Sequence, residues 1–298
     1  MAVMRYDAHE QLCAPARHSS HPARLAIGLV ALAIASIFLT ALARPFFAGL
    51  AGYEEPRELD VFSLGATQVD MTLNLFLYIV PLVSLALILR ILHGRGWLTL
   101  IGSVKLAARQ FGRVLLYLVA IYIAIGTLVP NTREVAVVPH VPIDMWLTFL
   151  PLAIPAILLQ VSCEELIFRG YMQSQLAAFF SSKLIWMLMP SLIFGFAHVG
   201  IAETKGEIWL YVAWATAFGL AAADLTARAG TLGPAIAMHF INNFGAILVT
   251  SPDGFLDGLA LYVFTDPQSE TEFLNSLLIP EFMVLLCIWL TARIALRR

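Results

Sequence analysis

Apolar residues fill this chain in long unbroken runs, without the alternation or single-faced spacing of soluble strands and helices. A bilayer-spanning helix needs roughly 20 predominantly apolar residues, and scanning for such windows gives eight candidates. They run approximately Leu25–Leu42, Met71–Leu92, Val114–Val129, Met145–Val161, Leu184–Ile201, Ile208–Ala223, Leu232–Val249 and Leu277–Leu296, the third and sixth being the shortest. The pattern predicts an all-α fold, a polytopic membrane bundle of about eight transmembrane helices. Polar breaks fall at Gly52–Asp70, Pro130–Pro142 and Pro252–Asn275 and read as loops. The stretch Gly94–Arg113 mixes Trp97, Leu98, Leu100, Ile101, Val104 and Leu106 with Lys105, Arg109 and Arg113, which suits an amphipathic surface helix as well as a loop. Residues 1–23 are polar, with Pro15 and Pro22, and are expected to form a disordered tail. No internal repeat is evident, so residues 24–298 read as one integral membrane domain.

Composition sharpens this reading. The chain is 60% hydrophobic and only 13% charged, with mean hydropathy +0.82, far from the quarter charged of soluble domains. Lys and Arg accumulate on the cytoplasmic side of membranes. An N-terminus placed inside puts fourteen of the eighteen basic residues there. Arg90, Arg95, Lys105, Arg109 and Arg113 share one loop without an acid, whereas Ser251–Ser276 holds no Lys or Arg. Arg293, Arg297 and Arg298 then also fall inside, as an even number of spans requires. The formal charge of −2 hides this sidedness, and nothing suggests nucleic acid binding. Ala41-Leu42-Ala43 resembles a signal-peptidase site, but cleavage there would leave an odd number of spans and spoil the charge balance. Cys13, Cys163 and Cys287 are scattered and odd in number, so no disulfide framework is implied. Cys163 reads as a small core residue rather than a nucleophile.

Chemistry concentrates in three apolar segments. A charge at bilayer depth costs roughly 2.5–3.5 kcal/mol on insertion scales, so Glu164, Glu165 and Arg169 together require partners or a wet cavity. Helical positions four apart share a face, so Glu165 can pair with Arg169 while Glu164 points about 100° away, free to act as a base. A structural ion-pair cluster is the competing reading. His198 ends the run Phe194-Gly195-Phe196-Ala197-His198, whose small residues permit close helix packing. His239 and Asn243 project together, and Asn242 points elsewhere. The set supplies a carboxylate, imidazoles and an amide donor, the parts of a peptide hydrolase that activates water directly. No Gly-x-Ser-x-Gly elbow or His-Glu-x-x-His helix occurs. Glu164, His198 and His239 could still ligate one zinc ion if they converged, so metal-free and zinc mechanisms both stay open.

The motifs Glu164-Glu165-x-x-x-Arg169, Phe194-x-x-x-His198 and His239-x-x-x-Asn243 resemble those of the CAAX prenyl protease and bacteriocin-processing (CPBP) family, which includes the Ras-converting CAAX endopeptidases. Glu164 to Met172, with Gly170 after Arg169, is also similar. The resemblance implies an intramembrane endopeptidase core at about residues 145–250, with its cavity opening toward the cytoplasmic leaflet. It implies that Glu164 activates water with His198, that His239 and Asn243 bind the oxyanion, and that Glu165 and Arg169 organise the site, with Phe194 packing. Its substrates would be membrane-associated peptides, prenylated CAAX-type chains among them. The lipid bilayer is the other expected partner. The expected location is a bacterial inner membrane, with both termini cytoplasmic. Two other classes compete: an ion-coupled transporter using the same polar groups as a relay, and a non-catalytic membrane scaffold or immunity protein.

Overall fold

The computed structural model describes residues 6–54, 58–128, 136–199, 205–254, 256–264 and 279–297. Eight main helices follow the expected runs: α1 Pro22–Leu50, α2 Gln68–His93, α3 Val104–Leu128, α4 Ile143–Phe179, α5 Leu184–Phe196, α6 Lys205–Ala229, α7 Gly233–Val249 and α8 Ile279–Leu296. Among the described residues, six helices, the segment Ile208–Ala229 of α6 included, are long and apolar enough to cross a membrane. The other two, α5 and α7, are shorter. The architecture is an all-α polytopic bundle.

The differences from expectation are local and have physical causes. The expected fourth span stops at Val161, yet the helix runs on to Phe179 through a π-helical stretch, Leu166–Gln173. Glu165, Arg169, Gln173 and Gln175 are polar, so the apolar window closes there, but all four are buried against the bundle. The third helix begins ten residues early: Val104–Arg113 forms its first turns, with Ala107 and Val114 buried while Lys105 and Arg109 stay exposed. Trp97–Leu100 is a separate short turn, and Glu58–Leu64 a short helix within an expected loop. Three short strands were not expected. β1 Val137–Pro139 pairs antiparallel with β3 Tyr262–Phe264, and β2 Thr250–Pro252 pairs parallel with β3.

The expected disordered tail is corrected most clearly. Asp7–Ser19 folds into three short helical turns, with Leu12 and Ala16 fully buried. Tyr6 donates to Asp224 Oδ1 at 2.7 Å, and His18 Nε2 donates to the His93 carbonyl at 2.7 Å. These anchors reach across the bundle, so low local hydrophobicity could not reveal them. Gly230, at the α6–α7 turn, has φ +71° and lies against the Ala8 carbonyl, leaving no room for a side chain. Glu55, Pro56, Val129, Ile201, Arg298, residues 130–135 of the loop expected at Pro130–Pro142 and residues 265–278 lie outside the described residues.

Three apolar clusters hold the helices. One joins α3, α6, α7 and α8, a second joins α1 and α2 to the later half of α4, and a third joins α2, α4 and α7. Trp146 Nε1 donates to the Leu248 carbonyl at 2.8 Å, tying the start of α4 to the end of α7. This antiparallel arrangement brings the middle of α4 beside His239 and Asn243.

Candidate active site

Glu165 is fully buried and lies at the centre of the polar cluster. Its Oε1 accepts from Arg169 Nη1 at 2.9 Å and from His239 Nδ1 at 2.8 Å. The Arg169 guanidinium also stacks 4.6 Å from the centre of the Phe194 ring, a favourable placement for a buried cation. Because Glu165 is acceptor-only when ionised, it holds the proton on Nδ1 and turns His239 Nε2 the other way. That nitrogen lies 3.6 Å from Glu164 Oε2. The edges of the Phe194 and Phe218 rings pack around the same imidazole, at 5.9 and 5.0 Å between centroids.

Glu164 faces away from the Glu165–Arg169 pair. Its Oε1 accepts from Gln160 Nε2 at 2.7 Å, whereas Oε2 is buried without a hydrogen-bond partner. Gln160 in turn accepts from Asn243 Nδ2 at 2.8 Å, and Asn242 Nδ2 donates to Asn243 Oδ1 at 3.2 Å. The Tyr78 hydroxyl faces both Glu164 and Gln160. His198 Nδ1 donates to the Phe194 carbonyl at 2.7 Å, which leaves Nε2 as the acceptor nitrogen.

Residues 146–245, a third of the chain, match a family model described as Rce1-like, type II CAAX prenyl endopeptidase. The likeness is to the CAAX protease family and is confined to this segment. No curated protein and no solved structure compared with the chain matches it. The match points to a membrane-embedded protease of the CAAX type, acting on a membrane-embedded protein substrate in the bilayer. It spans the cluster just described, from the first turn of α4 to Gly245.

A cavity of about 1330 Å³ borders the matched segment, with Gln160, Glu164, His198 and Asn243 in its wall. The structure thus gathers Glu164, Glu165, Arg169 and His239 directly and reaches Asn243 through Gln160. His198 joins them across the cavity rather than by a hydrogen bond. Cys163 is fully buried and free. Sequence reasoning missed Gln160, although it lies four residues before Glu164 on the same helical face, the spacing that picked out Glu165 and Arg169. It also missed Tyr78, which nothing in its local sequence distinguishes. Among the described residues, no three His, Cys, Asp or Glu side chains are gathered closely enough to hold a metal ion. The donor set Glu164, His198 and His239 does not fit zinc as placed.

The cavity extends well beyond Glu164. Its wall runs from Glu164 toward the end of the bundle that carries the strands, reaching Thr250, Pro252 and Phe264. That is the end opposite Arg95, Lys105 and Arg109.

Proposed function

We propose that the chain is a glutamate-dependent intramembrane endopeptidase that hydrolyses peptide bonds of membrane-associated substrates. One observation carries the reading: Glu164 offers an unpartnered carboxylate oxygen at the wall of a large, mostly apolar cavity. The 3.6 Å separation from His239 Nε2 is too long for a direct hydrogen bond and too short for a water in line between the two, so the reading places the attacking water on their cavity side.

In this reading Glu164 Oε2 takes a proton from that water as its oxygen attacks the scissile carbonyl. His198 Nε2 assists the proton transfer across the cavity. The negative charge that develops on the carbonyl oxygen is received by the second amide proton of Asn243 and, when its Nε2 also carries a proton, by His239, in a dry site. Gln160 holds Glu164 and Asn243 in register, and Glu165 with Arg169 fixes the His239 ring. The proton then passes to the leaving amine, freeing two peptide products. The mechanism calls for no metal. The proposal includes both chain termini in the cytoplasm and a bacterial inner membrane, supported by the Lys and Arg distribution, with prenylated CAAX-type chains as one candidate substrate class.

The test compares purified variants. Glu164→Gln should abolish turnover while keeping wild-type thermal unfolding, and Cys163→Ala should retain turnover. Elemental analysis of active enzyme should find no stoichiometric zinc. A fully active Glu164→Gln enzyme, or one zinc per chain, would overturn the reading.

A further inference from the structure

The second helix breaks where it passes the site. Pro81 has no N–H to offer the Leu77 carbonyl four residues back, and its ring crowds that oxygen. The regular turns of α2 are therefore interrupted at Leu77 and Tyr78. The Leu77 carbonyl takes the Val80 N–H instead, at 3.0 Å, and the Tyr78 N–H reaches the Leu75 carbonyl at 3.3 Å, both bonds spanning three residues rather than four. Leu75 belongs to the apolar cluster that holds α2 against Ile157 and Val161 of α4. Tyr78, one turn further on, arrives half-buried beside Glu164 and Gln160.

The polar side chains there have a fixed supply of protons. An ionised carboxylate only accepts, a side-chain amide gives two protons and a phenol one. Gln160 Nε2 donates to Glu164 Oε1 at 2.7 Å, and Gln160 Oε1 accepts from Asn243 Nδ2 at 2.8 Å. The Tyr78 hydroxyl faces both members of the Gln160–Glu164 pair. Asn74, one turn earlier on α2, spends its amide on the Phe62 carbonyl at 2.7 Å. Tyr78 thus brings Glu164 a donor from a third helix, beside those of α4 and α7. Tyr78, Gln160, Glu164 and Asn243 all line one cavity, so the contact lies at the wall where the attacking water is placed.

We propose that Tyr78 is the positioning residue that holds Glu164 for the attack of water: its hydroxyl donates to the carboxylate and turns to Gln160 Oε1 once Glu164 is protonated. The water's proton goes to Glu164 and from there to the leaving amine, and Tyr78 keeps its own proton throughout. No group outside the site is called for. The inference rests on the hydrolase reading for its consequence in turnover and on the break in α2 for the contact itself.

Infrared difference spectroscopy of the purified full chain tests the contact without requiring turnover. The band that wild type has and Glu164→Gln lacks belongs to the Glu164 carboxyl group. Tyr78→Phe, which keeps the ring and should keep the wild-type melting temperature, should shift that band; an unmoved band would overturn the proposal. If Tyr78→Phe does not fold, 3-fluorotyrosine at position 78 takes its place: its fluorine resonance should move on Glu164→Gln, and an unmoved resonance would overturn the proposal in the same way. Turnover is read on a farnesylated CAAX-type peptide with a fluorophore and quencher on either side of the scissile bond. Tyr78→Phe should lower kcat on the order of 10- to 100-fold with KM within about twofold, the signature of a displaced catalytic group. The 3-fluorotyrosine protein, which retains the hydroxyl, should restore kcat. Wild-type kcat in Tyr78→Phe beside an inactive Glu164→Gln would remove the role of Tyr78 alone. A fully active Glu164→Gln enzyme would instead remove the hydrolase reading and leave the band shift standing. If wild type leaves the peptide intact, that substrate class falls and the infrared comparison decides the role of Tyr78.

Discussion

Glu165 and Glu164 are neighbours in different situations: Glu165 is sealed, its Oε1 shared by Arg169 and His239, whereas Glu164 is held by Gln160 and lines a cavity. Removing the charge of Glu165 leaves Arg169 buried without its carboxylate and His239 without its orienting acceptor. Breaking a buried pair in this way costs about 3–5 kcal/mol, so Glu165→Gln should unfold at clearly lower temperature than wild type in detergent. Equal melting would contradict the pairing. Gln160→Leu should leave melting nearly unchanged but lower kcat on the order of 10²-fold with little change in KM, because a misplaced catalytic group loses about that much. Helical spacing made much of this legible: Glu165 with Arg169 follows from positions four apart, and His239 with Asn243 from the same rule. The rule does not say which partners those residues meet across helices. His239 turns to the glutamates and Asn243 to Gln160, a division set by how α7 lies against α4.

At the scale of elements, the π-helical stretch after Glu165 re-aims α4 as it passes the site. Such stretches occur where a helix accommodates an extra residue per turn, often at functional sites. It places Arg169 under Phe194 and brings Gly170 against Leu100. Gly170→Ala forces a methyl into that contact and should destabilise the protein by about 1–3 kcal/mol, read as a fall in Tm. Hydropathy located all eight helices because their apolar runs are long, but it ended α4 early, since buried polar side chains paired within the protein look like exposed ones in sequence. The N-terminal segment escaped notice for the same reason. Burial pushes the His9 imidazole down to about 4 from its ordinary 6.5. Its docked state therefore binds a proton less readily than its undocked state. Docking is at full strength above pH 6.5 and weakens as pH falls toward 4. Amide hydrogen exchange of residues 6–19 should quicken over that range beyond the ordinary chemical rate, and His9→Asn should flatten the trend.

The whole molecule combines a basic end with a cavity that reaches the strand-bearing end. The loop charges support an expectation of its sidedness. The cavity's direction was not legible in them, because it depends on side chains from α3, α6, α7 and α8 that lie far apart in sequence. The bundle holds a buried polar cluster, Glu164, Glu165, Arg169 and His239, against a cavity lined mostly by apolar side chains. The most direct measurement compares N- and C-terminal peptides of membrane proteins in host cells carrying wild type or Glu164→Gln at equal abundance. The account predicts a set of new termini, flanked by apolar residues, that is present with wild type and absent with the variant. Indistinguishable maps would contradict it and favour a scaffold or transport role for the same cavity.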